Sequence, residues 1–176
     1  HIRGSLACFP KAKIRIWARR FDAAQQLAKR FCDQPSEVVA ISDLPEAVRG
    51  ADVIHTVTAS KEAFFLGAWL EAGQHINLVG ASLADTRELD DAGVARVSMF
   101  TDSCESSNRE SGEILGAKHA GLVRADYAVM EIGQVILDPH LGRQSDAEIT
   151  AYKSHGLIVQ DLVAAYEVHR RKSHSY

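Results

Sequence analysis

Cysteine and proline are scarce in this sequence, and no long apolar run occurs. Its 176 residues include three cysteines and four prolines. Cys8, Cys32 and Cys104 match no metal-ligand spacing and no disulfide framework, so we expect reduced, mostly buried thiols in a cytoplasmic protein. No apolar stretch is long enough to cross a bilayer, and we therefore expect no membrane partner.

Charge of one sign is not in excess either. Charged residues make up 24% of the sequence and the formal net charge is -3, which predicts no nucleic-acid partner. The eight histidines form no pair with zinc-ligand spacing, so no metal site is expected. Hydrophobic residues, at 46%, are sufficient for the core of one compact domain.

Short apolar strands alternate with helical patterns along most of the chain. Residues 1–9 are typical of the end of a helix, closed by Pro10. Strands are predicted at 13–18, 52–57, 75–79, 98–101 and 149–152, a short apolar run at 38–41, and helices at 21–31, 44–49, 86–92 and 157–171. This alternation is typical of βα units and predicts an α/β fold with a mostly parallel sheet. Residues 111–145 give no clear assignment.

Ligands of open parallel sheets bind beyond the carboxyl ends of the strands. The candidate binding residues are therefore those that follow the predicted strands: Ala18, Arg19, Arg20, Thr56, Val57, Thr58, Gly80, Ala81, Ser82, Asp102, Ser103, Lys153, Ser154 and Gly156. Some of them have ordinary structural alternatives. The threonine hydroxyls can satisfy the end of a strand, and Gly80 can be a simple turn residue, although it also lets a ligand approach the backbone closely.

The arginine pair after the first strand bears on cofactor choice. At the end of the second strand of a dinucleotide-binding unit, an acidic residue binds the ribose of NAD, whereas an arginine accommodates the 2′-phosphate of NADP. Arg19 and Arg20 can grip a phosphate through paired hydrogen bonds, and no acid occurs before Asp22. The pair favours NADP(H), and the alternative is a solvated surface pair. The glycine-rich phosphate loop expected before this strand is missing from the sequence.

Four longer segments carry a family resemblance. They read ADVIHTVTAS (51–60), GQHINLVGASLADTRELD (73–90), FTDSCESSNRESGEI (100–114) and GRQSDAEITAYKSHGLIVQDLVAA (142–165). Together, in this order and over nearly the whole chain, they resemble the ornithine cyclodeaminase/mu-crystallin family. The last segment contains the G-R-x-S…E-I-T…K-S-x-G signature of that family.

The resemblance implies a dimeric protein of two domains, one of them a Rossmann-type, doubly wound domain that binds NAD(P)(H). It predicts that residues 1–156 are this domain, without its first strand and glycine-rich loop. Residues 157–176 would form a helix that leads back to the dimerisation and substrate domain. The sequence is then a fragment of a two-domain protein, and we expect the fragment itself to be inactive.

One position within the motifs distinguishes the activities of the family. In true cyclodeaminases the turn after the hIN-x-x-G strand carries a catalytic aspartate, and the matching residue here is Ser82. A serine hydroxyl is not a base near neutral pH, and no carboxylate or imidazole stands beside it in sequence. Serine at this place resembles the mu-crystallin branch, whose members reduce ketimines with NADPH.

The predicted function is therefore NAD(P)H-dependent reduction of a cyclic ketimine or a related imino or amino acid. NADP(H) is favoured as cofactor and NAD(H) is possible; the protein supplies position and polarity to the cofactor's hydride chemistry. Two alternatives are an ornithine cyclodeaminase-type lyase that releases ammonia with NAD, and a non-catalytic NADPH-dependent binder of small molecules. The full-length protein is expected to be a homodimer.

The resemblance also implies roles for single residues. Ser82 is expected to act in catalysis and to contact the substrate, together with Glu110, which could instead cap the helix that follows it. Lys153 is expected to be solvated, whereas Arg143 and Asp161 are expected to hold structure. The residues expected to bind the cofactor are Ala18, Arg19, Arg20, Thr56, Val57, Thr58, Val79, Gly80, Ala81, Ser154 and Gly156.

Overall fold

In the computed structural model, which describes residues 1–34 and 36–173, the chain forms two units, His1–His55 and Thr56–Tyr176. The first unit has two strands and three helices: α1 Ile2–Cys8, β1 Ile14–Ile16, α2 Phe21–Lys29, β2 Val38–Ala40 and α3 Leu44–Val48. The strands pair in parallel, with Ile14 opposite Val38. The helix ending before Pro10, the first strand, the apolar run at 38–41 and the next two helices are thereby confirmed.

Local chemistry explains where α3 begins. The side chain of Asp43 accepts a hydrogen bond from the backbone N–H of Glu46, and Pro45 occupies the first turn. An aspartate cap satisfies a helix N–H that has no partner within the helix, and proline fits there because it has no N–H to satisfy. The guanidinium of Arg15 in β1 donates to the carbonyl oxygens of Glu46 and Arg49, which ties α3 to the strand pair.

The second unit is built on a five-stranded sheet in the order β3-β4-β7-β5-β6, and β3 crosses the boundary between the units. The strands are β3 Val53–Thr56, β4 His75–Leu78, β5 Ser98–Thr101, β6 Met130–Glu131 and β7 Thr150–Lys153. The helices are α4 Asp91–Val94, α5 Cys104–Glu110, α6 Gly112–His119, α7 Ile132–Leu137 and α8 Ile158–Ser173, with 3₁₀ turns at Gly67–Trp69 and Pro139–Leu141.

The last strand of the chain occupies the middle of this sheet. β7 pairs in parallel with both β4 and β5, and β5 pairs in parallel with β6. Lys153, at the end of β7, lies opposite both Leu78 and Thr101, the last residues of β4 and β5. The carboxyl ends of three strands are therefore level. The predicted α/β fold with a mostly parallel sheet is confirmed.

The helix predicted at residues 86–92 is wrong. Residues 86–90 are extended, Leu89 forms an isolated parallel bridge with Phe65, and α4 begins only at Asp91. Asp90 ends the extended segment because its carboxylate accepts hydrogen bonds from the backbone of both Gly67 and Gly93. This cap fixes the start of the helix, and the preceding residues are drawn into the core as extended chain.

Residues 111–145, which gave no assignment, contain α6, β6, α7 and a 3₁₀ turn. Tyr127 ties this segment to the end of α4, because its hydroxyl donates to the carbonyl oxygens of Val94 and Val97 at 3.1 and 2.9 Å. Burial raises the pKa of Tyr127 to about 12. The phenol therefore stays protonated, as a donor, throughout the neutral range.

Two expectations about surfaces need correction or extension. The thiols are free, but Cys8 and Cys32 are exposed and Cys104 is half-buried, so the prediction that the thiols are mostly buried was wrong.

The helix predicted at 157–171 is confirmed as α8, yet its large apolar side chains are exposed, including Leu162 at 66% and Tyr166 at 64%. Within the described residues, no helix combines the length and the apolar character that crossing a bilayer requires.

Candidate functional site

The ends of β3 and β4 are joined by one buried carboxylate. Glu88 is fully buried, and its carboxylate accepts hydrogen bonds from the Thr56 hydroxyl at 2.7 Å, the Gly80 N–H at 3.0 Å and the Thr58 N–H at 2.5 Å. Buried charge is costly unless hydrogen bonds replace the lost water, and donors to a carboxylate make strong bonds. Glu88 therefore fixes two adjacent strand ends at once. Glu88 is not among the site residues predicted from the sequence.

Gly80 lets the two strand-end segments meet backbone to backbone. A Cβ built at this position would lie 2.1 Å from both the N and the O atoms of Thr58. The backbone N–H groups of Val79 and Gly80 also donate to the carbonyl oxygen of Thr56. Any side chain at position 80 would force these segments apart, so the close approach requires glycine.

A second buried charge cluster lies at the end of β7. The Lys153 ammonium is 3.0 Å from the carboxylate of Glu113, both side chains are fully buried, and the ammonium also donates to the carbonyl oxygen of Ala81. The other oxygen of Glu113 accepts from the N–H of Glu88 at 2.9 Å. The expectation that Lys153 is solvated was wrong, because β7 is a central strand and its last residue is covered on both sides.

Glu110 is the last residue of α5, and it does not cap the next helix. Ser111 caps α6 instead, since its hydroxyl accepts from the N–H of Ile114. Glu110 is part-exposed and pairs with Arg109 at 2.7 Å. The structural alternative suggested for Glu110 was therefore wrong. Arg143 does hold structure as expected, because its guanidinium donates to Glu148, Gln74 and Thr150.

The segment after β7 is held by Asp102, which follows β5. Its carboxylate accepts from the backbone of His155 at 2.9 Å and of Gly156 at 2.8 Å, and from the hydroxyl of Ser154 at 3.4 Å. Gly156 has a φ of 79°, a left-handed conformation that favours glycine. The structure thus brings the candidate residues after β5 and β7 into direct contact.

The imidazole of His155 faces the backbone of Ser82, although neither ring nitrogen reaches full hydrogen-bond geometry with a described group. Burial lowers the pKa of His155, Lys153 lowers it further, and Asp102, the Ser82 backbone and Glu113 act in the opposite direction. The ring is therefore neutral near pH 7. No imidazole stands beside Ser82 in the sequence, and the fold brings His155 to it. His155 occupies the variable position of the K-S-x-G motif, and this was the one feature of the sequence that could have indicated its role.

The candidate residues of the first unit follow β1. Ala18 is half-buried, and Arg19 and Arg20 are exposed. Arg20 precedes α2 and lies 3.4 Å from Asp22, with both side chains largely exposed. In residues 1–34 and 36–173, no three His, Cys, Asp or Glu side chains are arranged to hold a metal ion.

The sequence as a whole matches one family model. The model of the ornithine cyclodeaminase/mu-crystallin family aligns with residues 5–175. The chain belongs to this family. The family resemblance predicted from the four motif segments is thereby confirmed.

Members of this family with curated names include reductases similar to the chain. A Delta(1)-pyrroline-2-carboxylate reductase of Paracoccus denitrificans is 35% identical over 158 residues, which cover 90% of this chain and 50% of that protein. The ketimine reductase mu-crystallin of Mus musculus is 39% identical over 158 residues, which cover 89% of this chain and 46% of that protein. The chain thus spans about half the length of the curated relatives it matches.

A solved structure of the family shares the fold. The Thermococcus litoralis Delta(1)-pyrroline-2-carboxylate reductase, in complex with NADH and L-proline, superimposes with a TM-score of 0.82 at 28% identity. The match covers 88% of this chain and 48% of that one. The Rossmann-type α/β fold predicted for this member of the ornithine cyclodeaminase/mu-crystallin family is confirmed.

The close contact at Gly80 gives a first test. We expect Gly80→Ala to lower the free energy of unfolding by about 1–3 kcal/mol, the usual cost of overpacking, because the new methyl group meets the backbone of Thr58. Gly133→Ala is the matched control: it lies in α7 with open space around the new Cβ, and we expect an unchanged or higher stability. Urea unfolding measures both; equal stability of the two variants would contradict the close approach.

Proposed function

We propose that the protein is an NAD(P)H-dependent reductase of a cyclic ketimine or a related imino acid. The observation that carries this proposal is Ser82, in the turn after β4, where cyclodeaminases are expected to carry an aspartate. The similarity to a pyrroline-2-carboxylate reductase and a ketimine reductase supports the same reaction class. The small substrate, an imino or amino acid, follows from that class.

The turn after β4 suits a flat nicotinamide ring. Gly80 carries no side chain and Ala81 only a methyl group, and the backbone of this turn is held by Glu88 and Lys153. We propose that Thr56, Val57, Thr58, Val79, Gly80, Ala81, Ser154 and Gly156 contact the cofactor. A bound nicotinamide cofactor supplies the hydride for the reduction.

The residues of this chain would orient the substrate and its proton. The hydroxyl of Ser82 both donates and accepts hydrogen bonds, so it can hold the imine nitrogen or the carboxylate of the substrate. It does not act as a base, because a serine hydroxyl is not basic near neutral pH. Glu110 is proposed as a second substrate contact, since its carboxylate is part-exposed.

A direct assay separates reduction from the alternatives. The purified full-length protein is incubated with pyrroline-2-carboxylate or piperideine-2-carboxylate and NADPH, and the absorbance of the reduced nicotinamide is followed. We expect consumption of NADPH, and a kcat at least about tenfold lower for Ser82→Ala, because an oriented hydrogen bond to the substrate is lost.

Each other outcome of this assay identifies a different function. Release of ammonia from ornithine with catalytic NAD, without reduction of the imines, would favour the lyase and overturn the reductase. Neither activity, together with saturable and NADPH-dependent binding of a small aromatic ligand, would favour the non-catalytic binder.

For the cofactor, we propose NADP(H) in preference to NAD(H). Arg19 and Arg20 are exposed after β1, where paired guanidinium donors can bind a 2′-phosphate, and Ala18 is proposed to contact the adenosine. We expect Arg19→Ala to raise the Kd for NADPH about tenfold and to leave the Kd for NADH unchanged. Lys13→Ala is a control that removes an exposed cation of the same unit, which pairs with Glu37. Equal binding of both cofactors by the unaltered protein would contradict the preference.

We further propose that residues 1–156 are the cofactor-binding domain and that 157–176 lead to a dimerisation and substrate domain in a homodimer. The exposed apolar side chains of α8, among them Ile158, Leu162 and Tyr166, support a packing partner for this helix. The cytoplasmic location stays a prediction.

The role of α8 can be tested by self-association. Leu162→Lys places a charge in the apolar face, and we expect the dissociation constant of the dimer, measured by analytical ultracentrifugation, to rise at least about tenfold. Gln160→Lys adds the same charge to a polar position of α8 and should leave association unchanged. A dimer that both variants form equally well would contradict the proposal.

A further inference from the structure

We propose that Lys153 is a positioning residue for the reductive step: it holds the carbonyl of Ala81, so that the next residue, Ser82, stays in place under the substrate. Glu113 serves as its counter-ion and does not touch the substrate. This inference rests on the proposed function, in which Ser82 contacts the substrate.

Two buried side chains hold Gly80 and Ala81 in the turn at residues 80–82, and a half-buried imidazole faces Ser82. The N–H of Gly80 donates to Glu88 at 3.0 Å, the carbonyl of Ala81 accepts from the ammonium of Lys153, and the backbone of Ser82 faces the imidazole of His155. Lys153 and His155 both come from the end of β7. One central strand therefore restrains the turn that follows its neighbour β4.

The Lys153–Glu113 pair is connected to the rest of the site through Glu113. One oxygen of its carboxylate accepts from the N–H of Glu88 at 2.9 Å, and the other accepts from the hydroxyl of Ser111 at 3.3 Å in addition to the ammonium. Glu88 in turn binds the end of β3. A continuous set of buried hydrogen bonds thus runs from β7 through the turn to β3.

Stability alone is a weak explanation for this pair. A buried ion pair gains little over a well-packed neutral pair, because removing both charges from water offsets their attraction. A lysine at position 153 can also fix the position of the turn. Its ammonium group has three N–H donors, and here they reach both Glu113 and the backbone of the turn. Ala81 is buried and Ser82 is half-buried. A shift of the Ala81 carbonyl would therefore displace the next residue, whose hydroxyl is proposed to contact the substrate.

The test removes the charge pair without leaving an unpaired charge. Lys153→Met/Glu113→Gln is neutral as a pair: the glutamine oxygen can accept from the N–H of Glu88, and its amide nitrogen can donate to the hydroxyl oxygen of Ser111. We expect its melting temperature to stay close to that of the unaltered protein, while kcat falls about 10–100-fold, the cost of a small misplacement in an oriented site. The KM for NADPH should change less than about threefold, because the other cofactor contacts remain.

Two further variants make the result specific. Lys153→Gln/Glu113→Gln restores an amide donor that can reach the Ala81 carbonyl, and we expect it to recover part of kcat. Arg143→Met is the matched control, because Arg143 donates to Gln74 and Thr150 at the amino ends of the same two strands, β4 and β7. It should lower the melting temperature and leave kcat unchanged.

Every outcome decides the inference. A folded double variant of either kind with the kcat of the unaltered protein overturns it. Failure of both double variants to fold, while Arg143→Met folds, assigns the pair to stability and also overturns it. A fall in kcat at constant melting temperature, relieved by the glutamine variant, supports it.

The failure of the proposed function would be recognised separately. If the unaltered protein does not reduce imines, hydrogen exchange at the amides of residues 81–83 replaces kcat as the measurement. Exchange at least about tenfold faster in Lys153→Met/Glu113→Gln than in the unaltered protein, at equal melting temperature, supports the positioning of the turn. Equal exchange overturns it.

Discussion

The carboxylate of Glu88 is fully buried at the carboxyl ends of β3 and β4, and it can remain there only while donors surround it. The Thr56 hydroxyl and the N–H groups of Thr58 and Gly80 supply them. The same carboxylate therefore decides where both strand-end segments lie. Gly80 makes the arrangement possible, because the backbone of Thr58 fills the space that a side chain would need.

Around this contact, the molecule buries charge where a nucleotide-binding sheet is expected to bind ligand. Lys153 and Glu113 extend the network to the central strand, and Asp102 holds the segment that follows that strand. Glu88, Glu113 and Lys153 are fully buried and satisfy one another and the backbone, whereas Asp102 is half-buried and bonds to the backbone after β7. The candidate residues of the turn after β4 are small or hydroxylic, which suits the proposed role of orienting a cofactor and an imine while the cofactor supplies the hydride.

Sequence patterns predicted the elements well where apolar periodicity was clear, as in the five predicted strands and in α2, α3 and α8. They failed at residues 86–92, because Glu88 and Leu89 are drawn into the core by tertiary contacts and the helix begins only after the Asp90 cap. Lys153 was misjudged for a related reason. A lysine is normally solvated, and its burial depends on the insertion of β7 between two earlier strands, which local pattern does not reveal.

The sequence by itself determined the family, the α/β class and the serine that replaces an aspartate in the turn after β4, because these are carried by residue types at fixed spacing. Only the tertiary structure decided that Glu88, Glu113, Lys153 and His155 surround this turn. Their positions in the chain are up to 75 residues from Gly80, His155 being the furthest, and they meet because parallel strands end at one edge of the sheet. The hydrogen-bond partners of a buried charged group cannot be identified from the sequence, because tertiary packing decides which groups lie within hydrogen-bond distance of it.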